Sequence, residues 1–321
     1  MFQARPAAGI TAGIILIFTF GTAVAAGTTA PEVFAPGIIS GPEHDTAPAF
    51  TPDGRTVYFS RSDGNRSTLL VSHLRRAGWT EPQTAPFSGT WSDMEPAMSP
   101  DGRFIVFVSN RPVEEGGKPL DGSFNGRTFP AGGGNLWRVD AQGSGWSQPA
   151  RLPEVVNNNT STFAPAVATD GSLYFMHPAA DSKRFQLFRA QFEGGTYREP
   201  QALPFSDGST TDVDPAVAPD ESFMVFGSGR TPAKSMDLFI VFRKKAAWGT
   251  PVHLGDLVNS PGSDAEARLS PDHKTLYFSS ERLASGDSSQ PRPPWDNGKY
   301  NIWHVSLMPW LKQRSDPSVR Y

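Results

Sequence analysis

The chain has 321 residues, a net charge of −3, 31 glycines, 30 prolines and no cysteine. Without cysteine there are no disulfides, thiol nucleophiles or thiolate metal sites, and the lack of any Lys/Arg block or basic stripe argues against a nucleic-acid partner. The length allows one large all-β domain or two ordinary ones.

Residues 1–26 read as an export signal. Arg5 supplies the positive start, Gly13 to Phe20 a short apolar core, and Ala23 to Ala26 the small residues a signal peptidase needs. The apolar run is shorter than the roughly 20 residues of a membrane span, and no cysteine follows to carry a lipid. The expectation is a periplasmic or secreted protein with no stable membrane span after cleavage.

A repeat fills the rest. Five segments align: "DTAPAFTPDGRTVYFSRSD" from Asp45, "DMEPAMSPDGRFIVFVSNR" from Asp93, "TFAPAVATDGSLYFMHPA" from Thr162, "DVDPAVAPDESFMVFGSGR" from Asp212 and "DAEARLSPDHKTLYFSSER" from Asp264. In each, a strand meets a turn centred on Asp53, Asp101, Asp170, Asp220 or Asp272, and a second, β-branched and aromatic strand follows. "TLLVSHL", "NLWRVD", "QLFRAQF", "DLFIVFR" and "NIWHVSL" read as third strands. Trp79, Trp146, Tyr197 and Trp248 then each precede a proline by three residues and lead into an outer strand.

Four strands per unit of roughly 50 residues, in tandem, predict a β-propeller. The fold expected is all-β: five four-stranded antiparallel blades over residues 32–308, with 309–321 as a C-terminal tail. Six blades is the alternative, if the long interval between Asp101 and Asp170 hides a degenerate one. The fifth unit has no outer strand of its own. "FAPGIISGPEHD" from Phe34 resembles "HLGDLVNSPGSD" from His253, so the N-terminal strand of the mature chain is expected to close the ring.

The pattern E-x-P-x-x-S-P-D-G-x-x-x-x-F-x-S-x-R, followed by Asp/Asn-hydrophobic-aromatic and Trp-x-x-Pro, resembles the TolB-like β-propeller repeat. The resemblance runs from about Phe34 to Leu307. It implies a stand-alone exported propeller that binds an envelope protein, peptide or glycan; TolB itself has six blades and a further N-terminal domain.

Glu95, Asp214 and Glu266 stand at equivalent places, and Arg111, Arg230 and Arg282 follow each by sixteen residues. The two repeats with alanine at the acid position, Ala47 and Ala164, have Asp63 and Ala179 in place of the arginine. Joint presence and absence predicts structural ion pairs across the hairpin, since an arginine fork matches a carboxylate. The competing reading is an acidic ring that does acid–base chemistry or holds a metal.

Two residues before those acids, Asp45, Asp93, Asp212 and Asp264 start the inner strands. They read as loop caps or as a ligand-contacting rim. Two insertions, 112–134 and 283–300, are placed on the same face and expected to converge above blade one. They offer Lys118, Asp121, Asn125, Arg127, Arg292, Trp295 and Asp296 for polar recognition.

Zinc, nucleophile-elbow and nucleotide-binding patterns are missing, and His44, His177 and the repeat tryptophans read as ordinary packing. No catalytic residue, metal or cofactor is assigned. The function expected is binding at the loop-bearing face; the alternative is a glycosidase or lyase with acids at the channel mouth.

Overall fold

The computed structural model describes residues 30–181, 183–233, 235–284 and 290–314; the expected export signal lies outside them. The chain forms a five-bladed β-propeller. The inner strands are His44–Phe50, Asp93–Met98, Phe163–Val167, Asp212–Val217 and Asp264–Leu269. Each pairs antiparallel with a second strand, which pairs with a third, and each packs against the inner strands of both neighbours.

The long interval after Asp101 holds no sixth blade. It holds an insertion with its own hairpin, Gly122–Phe124 against Arg127–Phe129. The outer strands are only two residues long, as at Gln83–Thr84 and Val252–His253. Beside them, the repeat tryptophans sit in separate two-residue pairings, such as Leu74 opposite Trp79.

Ring closure follows the sequence expectation. Glu32 and Val33 pair with His304 and Trp303 of the last blade's third strand, and the Phe34 amide donates to the Ile302 carbonyl at 2.8 Å. Phe34 then wedges its ring against Phe50, Trp79 and Tyr277, with centroids 5.7, 5.6 and 5.1 Å away. The first and last blades are thus locked both by the backbone ladder and by one aromatic cluster. The tail differs from a plain extension: Met308–Arg314 is a helix that buries Trp310 in the core of blades four and five.

Tryptophans carry contact from blade to blade. Trp146 of blade two donates its indole N–H to Tyr58 of blade one at 2.9 Å, and Trp248 of blade four meets Tyr174 of blade three edge-on.

Because Phe34 is the closing wedge, Phe34→Ala should cost about 3–5 kcal/mol, the range for a truncated buried aromatic ring. Urea unfolding measures it, and a loss under about 1 kcal/mol would mean that the ladder alone holds the ring shut.

Candidate functional site

All five inner strands carry the same irregularity. Ala47, Glu95, Ala164, Asp214 and Glu266 adopt left-handed backbone conformations, with φ between 49° and 55°, and the register of every inner strand shifts across that residue. Such a bulge re-aims a side chain, and a left-handed non-glycine residue persists only where its surroundings hold it. The acids at these places make no ion pair with Arg111, Arg230 or Arg282, whose partners lie elsewhere.

The expected pairing therefore needs correction. Arg111, Arg230 and Arg282 do not bind Glu95, Asp214 and Glu266. They bind the aspartates two residues earlier: Arg111–Asp93 at 2.8 Å, Arg230–Asp212 at 2.7 Å and Arg282–Asp264 at 2.6 Å. In blade one the partner of Asp45 is Arg61, at 2.6 Å. Each guanidinium also donates to a backbone carbonyl of the link entering its own blade, at Ile39, Phe87, Phe205 or Val258. It lies over a ring of its own hairpin as well, at Phe59, Phe107, Phe226 or Phe278.

Asp45, Asp93, Asp212 and Asp264 are all fully buried, so they form staples between strand and link and not a ligand-contacting rim. Blade three has Thr162 and Ala179 at the two staple positions and lacks the pair.

Among the described residues, no hydrogen bond, ion pair or ring contact joins the two insertions. Each leans onto the blade that follows it. The first hydrogen-bonds blade three's link through Ser123 N to Ser161 Oγ at 2.9 Å and Thr160 Oγ1 to the Asp121 carbonyl at 2.6 Å, and Phe124 stacks on Phe185. The last reaches blade one through Asn297 to the Pro42 carbonyl and Lys299 to Glu43, both at 2.9 Å.

Several recognition candidates have structural work there. Asp121 accepts from the Ala131 amide, Asn125 takes the left-handed place in the hairpin turn, and the Trp295 carbonyl accepts from Asn301. Buried Asp296 binds Arg292 and the Ala284 amide. Lys118 and Arg127 are exposed. His177 stacks on Phe188, and His44 Nδ1 accepts the Tyr300 amide.

What the bulges bring together lies on the ring axis. Glu95 and Asp214 are buried, and their charges and that of Glu266 act on one another. Glu95 accepts the Ala164 amide at 2.6 Å and Asp214 the Glu266 amide at 2.8 Å, so each carboxylate holds the left-handed residue of the next blade. Where Ala47 supplies no carboxylate, Ser60 Oγ accepts the Glu95 amide instead. Glu266 accepts from Ser279. Among the described residues no group of three or more His, Asp or Glu is placed to hold a metal ion.

Burial, then repulsion from Asp214 and Glu266, pushes the Glu95 carboxyl up to about 8. Burial, then Asp214, pushes Glu266 up to about 7, and burial raises Asp214. Arg268 is the positive group that opposes all three shifts.

Arg268 is the residue that the repeat reading passed over. The equivalent position is Ala49, Ala97, Ala166 and Ala216 in the other blades, and Ala267 stands where they have proline. That break in an otherwise regular pattern was the available signal. Arg268 is 5% exposed. Its Nη1 donates to the Ala267 carbonyl at 2.8 Å, while no protein acceptor reaches Nε or Nη2.

It lines a pocket of about 200 Å³ together with the four alanines, Pro52, Pro100, Pro219 and Pro271 of the turns, and His273. The pocket is therefore at the end of the ring bearing the Asp53, Asp101, Asp220 and Asp272 turns, opposite the insertions.

No family model and no curated protein matches the chain. Among solved structures it is similar to TolB from Acinetobacter baumannii at 14% identity and TM-score 0.47, over 82% of this chain and 54% of that one, so it spans about half of that protein's length. It is similar to a gluconolactonase from Xanthomonas campestris at 15% identity and TM-score 0.48, over 89% and 97% of the two chains. A luciferin-regenerating enzyme matches at 11% identity and TM-score 0.47, over 87% and 95%. These likenesses are of propeller fold alone.

Two outcomes test the site. In a double-mutant cycle, Arg111→Met with Asp93→Asn should show a coupling above about 1 kcal/mol, as contacting charges do, and Arg111→Met with Glu95→Gln should be nearly additive; the reverse ranking would restore the original pairing.

The second concerns pH. Acids whose folded pKa is raised bind more protons folded than unfolded, so their contribution is fully present below about 4.5 and is lost as pH rises through about 7 to 8. Half-buried His177, His273 and His304, shifted downward, work in the opposite sense but are common to wild type and variant, so the melting temperature of the wild type relative to Glu95→Gln should fall from pH 4.5 to pH 8. Asp53, Asp63, Asp101, Asp207 and Asp272 are shifted downward and act only at lower pH. A slope unchanged in the variant would remove Glu95 from the account.

Proposed function

We propose that this protein is an exported binding propeller whose ligand enters the axial pocket at the turn-bearing end. The observation that carries the reading is Arg268: a buried guanidinium with two donors free of protein partners, lining a pocket of apolar turn and strand surface. Leaving buried polar hydrogens unpaired costs about 1–3 kcal/mol each, a cost that a ligand's acceptor atoms would relieve. Concave apolar sites with a few convergent polar groups are the usual form of a ligand site.

The proposal keeps the binding role expected from the repeat and moves its location. The support for moving it is that the aspartate staples are buried and the insertions lean onto different blades. Against a glycosidase or lyase role stands the use of the axial carboxylates: Glu95 and Asp214 each hold a backbone amide of the next blade.

The test is a thermal-shift screen of peptides, small organic acids and oligosaccharides against the wild type and Leu269→Trp, which places a large side chain at the pocket wall. Ligands that raise the wild-type melting temperature by a few degrees should lose that effect in the variant. Shifts of equal size in both proteins, lost instead on removing residues 112–134, would return the site to the insertion face.

A further inference from the structure

Resting on that reading, we propose that the axial pocket is a receptor for a single carboxylate group carried on an apolar body, gripped side-on by Arg268. The two donors without a protein partner, Nε and Nη2, are themselves buried; they lie along one edge of the guanidinium, which offers two parallel N–H groups at the spacing of a carboxylate's oxygens once the side chain turns that edge to the pocket. The protein uses the same edge elsewhere: Arg61 meets Asp45 with Nε on Oδ1 at 2.6 Å and Nη2 on Oδ2 at 3.3 Å. At Arg268 the third nitrogen is anchored on the Ala267 carbonyl, which fixes the fork and leaves its paired edge unspent.

The charge surroundings select for one negative charge and no more. The titratable groups that face Arg268 are Glu95, Asp214 and Glu266 from three other inner-strand positions, and His273 across the pocket wall. Burial raises the affinity of all three acids for protons, and it lowers that of His273. Near neutral pH the axis then carries one guanidinium, Glu95 and Glu266 pushed up to about 8 and about 7, an Asp214 carboxyl raised by burial and an imidazole whose proton affinity burial lowers. A phosphate dianion would place two charges beside these carboxyls with a single cation to answer them. A monocarboxylate matches that cation one to one.

The remaining wall is mostly apolar, with Pro48, Phe50, Met98, Pro165, Val217 and Leu269 beside Ser99 and Ser270. A volume of about 200 Å³ suits a short aliphatic or aromatic acid, or the last residues of a peptide ending in an apolar side chain.

Calorimetric titration of the full chain with paired probes tests this. Hexanoate is compared with hexanamide, and the tripeptide Ala-Val-Leu as free acid with its C-terminal amide. The expected result is that at least one acid binds tenfold or more tighter than its amide, and that Arg268→Met abolishes the difference while Arg268→Lys keeps part of it. Preference within the first pair alone identifies a free organic acid, and within the second alone a chain terminus.

Equal binding of acid and amide, preference that survives in Arg268→Met, or no binding of any probe at millimolar concentration would overturn the proposal. Should Arg268→Met fail to fold, Leu269→Trp takes its place, and acid preference that persists in it is equally fatal. A neutral ligand from the thermal-shift screen that depends on the pocket would sink the carboxylate reading and leave the binding module standing.

Discussion

The structure depends on one backbone constraint used five times: a left-handed residue inside each inner strand. A regular strand would alternate its side chains between the two blade faces. The bulge breaks that alternation and turns the side chain of the left-handed residue itself toward the axis. It also leaves a backbone amide that must be paired, because unpaired buried amides are rare and costly. Glu95 and Asp214 pair two of them across blade boundaries, and Ser60 a third. The axial carboxylates are thus consequences of the bulge and also hold it in place.

A second layer of polar contacts sits nearer the insertion-bearing end. There, the buried aspartates and their arginines tie each inner strand to the link that enters its blade. Breaking such a pair strands a charge in a low-dielectric setting, which costs far more than the pair itself contributes. Charge is neutralised in place at this level. One level further along the axis it is not: three acids share Arg268 with no direct ion pair, and burial shifts all three toward the protonated form. A ligand with an anionic end would meet there a buried guanidinium whose Nε and Nη2 have no hydrogen-bond partner in the protein.

Much of the architecture was legible because repetition exposes it. Five equivalent turns, five aromatic second strands and the likeness of the segment at Phe34 to that at His253 pointed to five blades and to the closure, since a blade buries its faces only against copies of itself; the alternative of six was settled by the hairpin in the long interval. The ion pairs were legible as composition and not as partners. Acid and arginine vanish together in blade three, yet the aspartates two residues upstream follow nearly the same pattern, and counting along the chain cannot tell which of two acids turns toward the hairpin. Arg268 was visible as a broken repeat, and an alanine-to-arginine change in one unit of five is the kind of departure that regularity makes conspicuous.

By itself, then, the sequence determined a closed ring of β-sheets, the strands that compose it and the residues it repeats, because periodicity of apolar side chains and turn chemistry act locally. Only the tertiary structure decided which carboxylate each arginine meets, that the two insertions lean onto different blades, and that the uncommitted cation lies on the axis at the opposite end. Those outcomes hang on the left-handed bulge and on the direction of ring packing. Both are set by contacts between blades, whose partners are far apart along the chain.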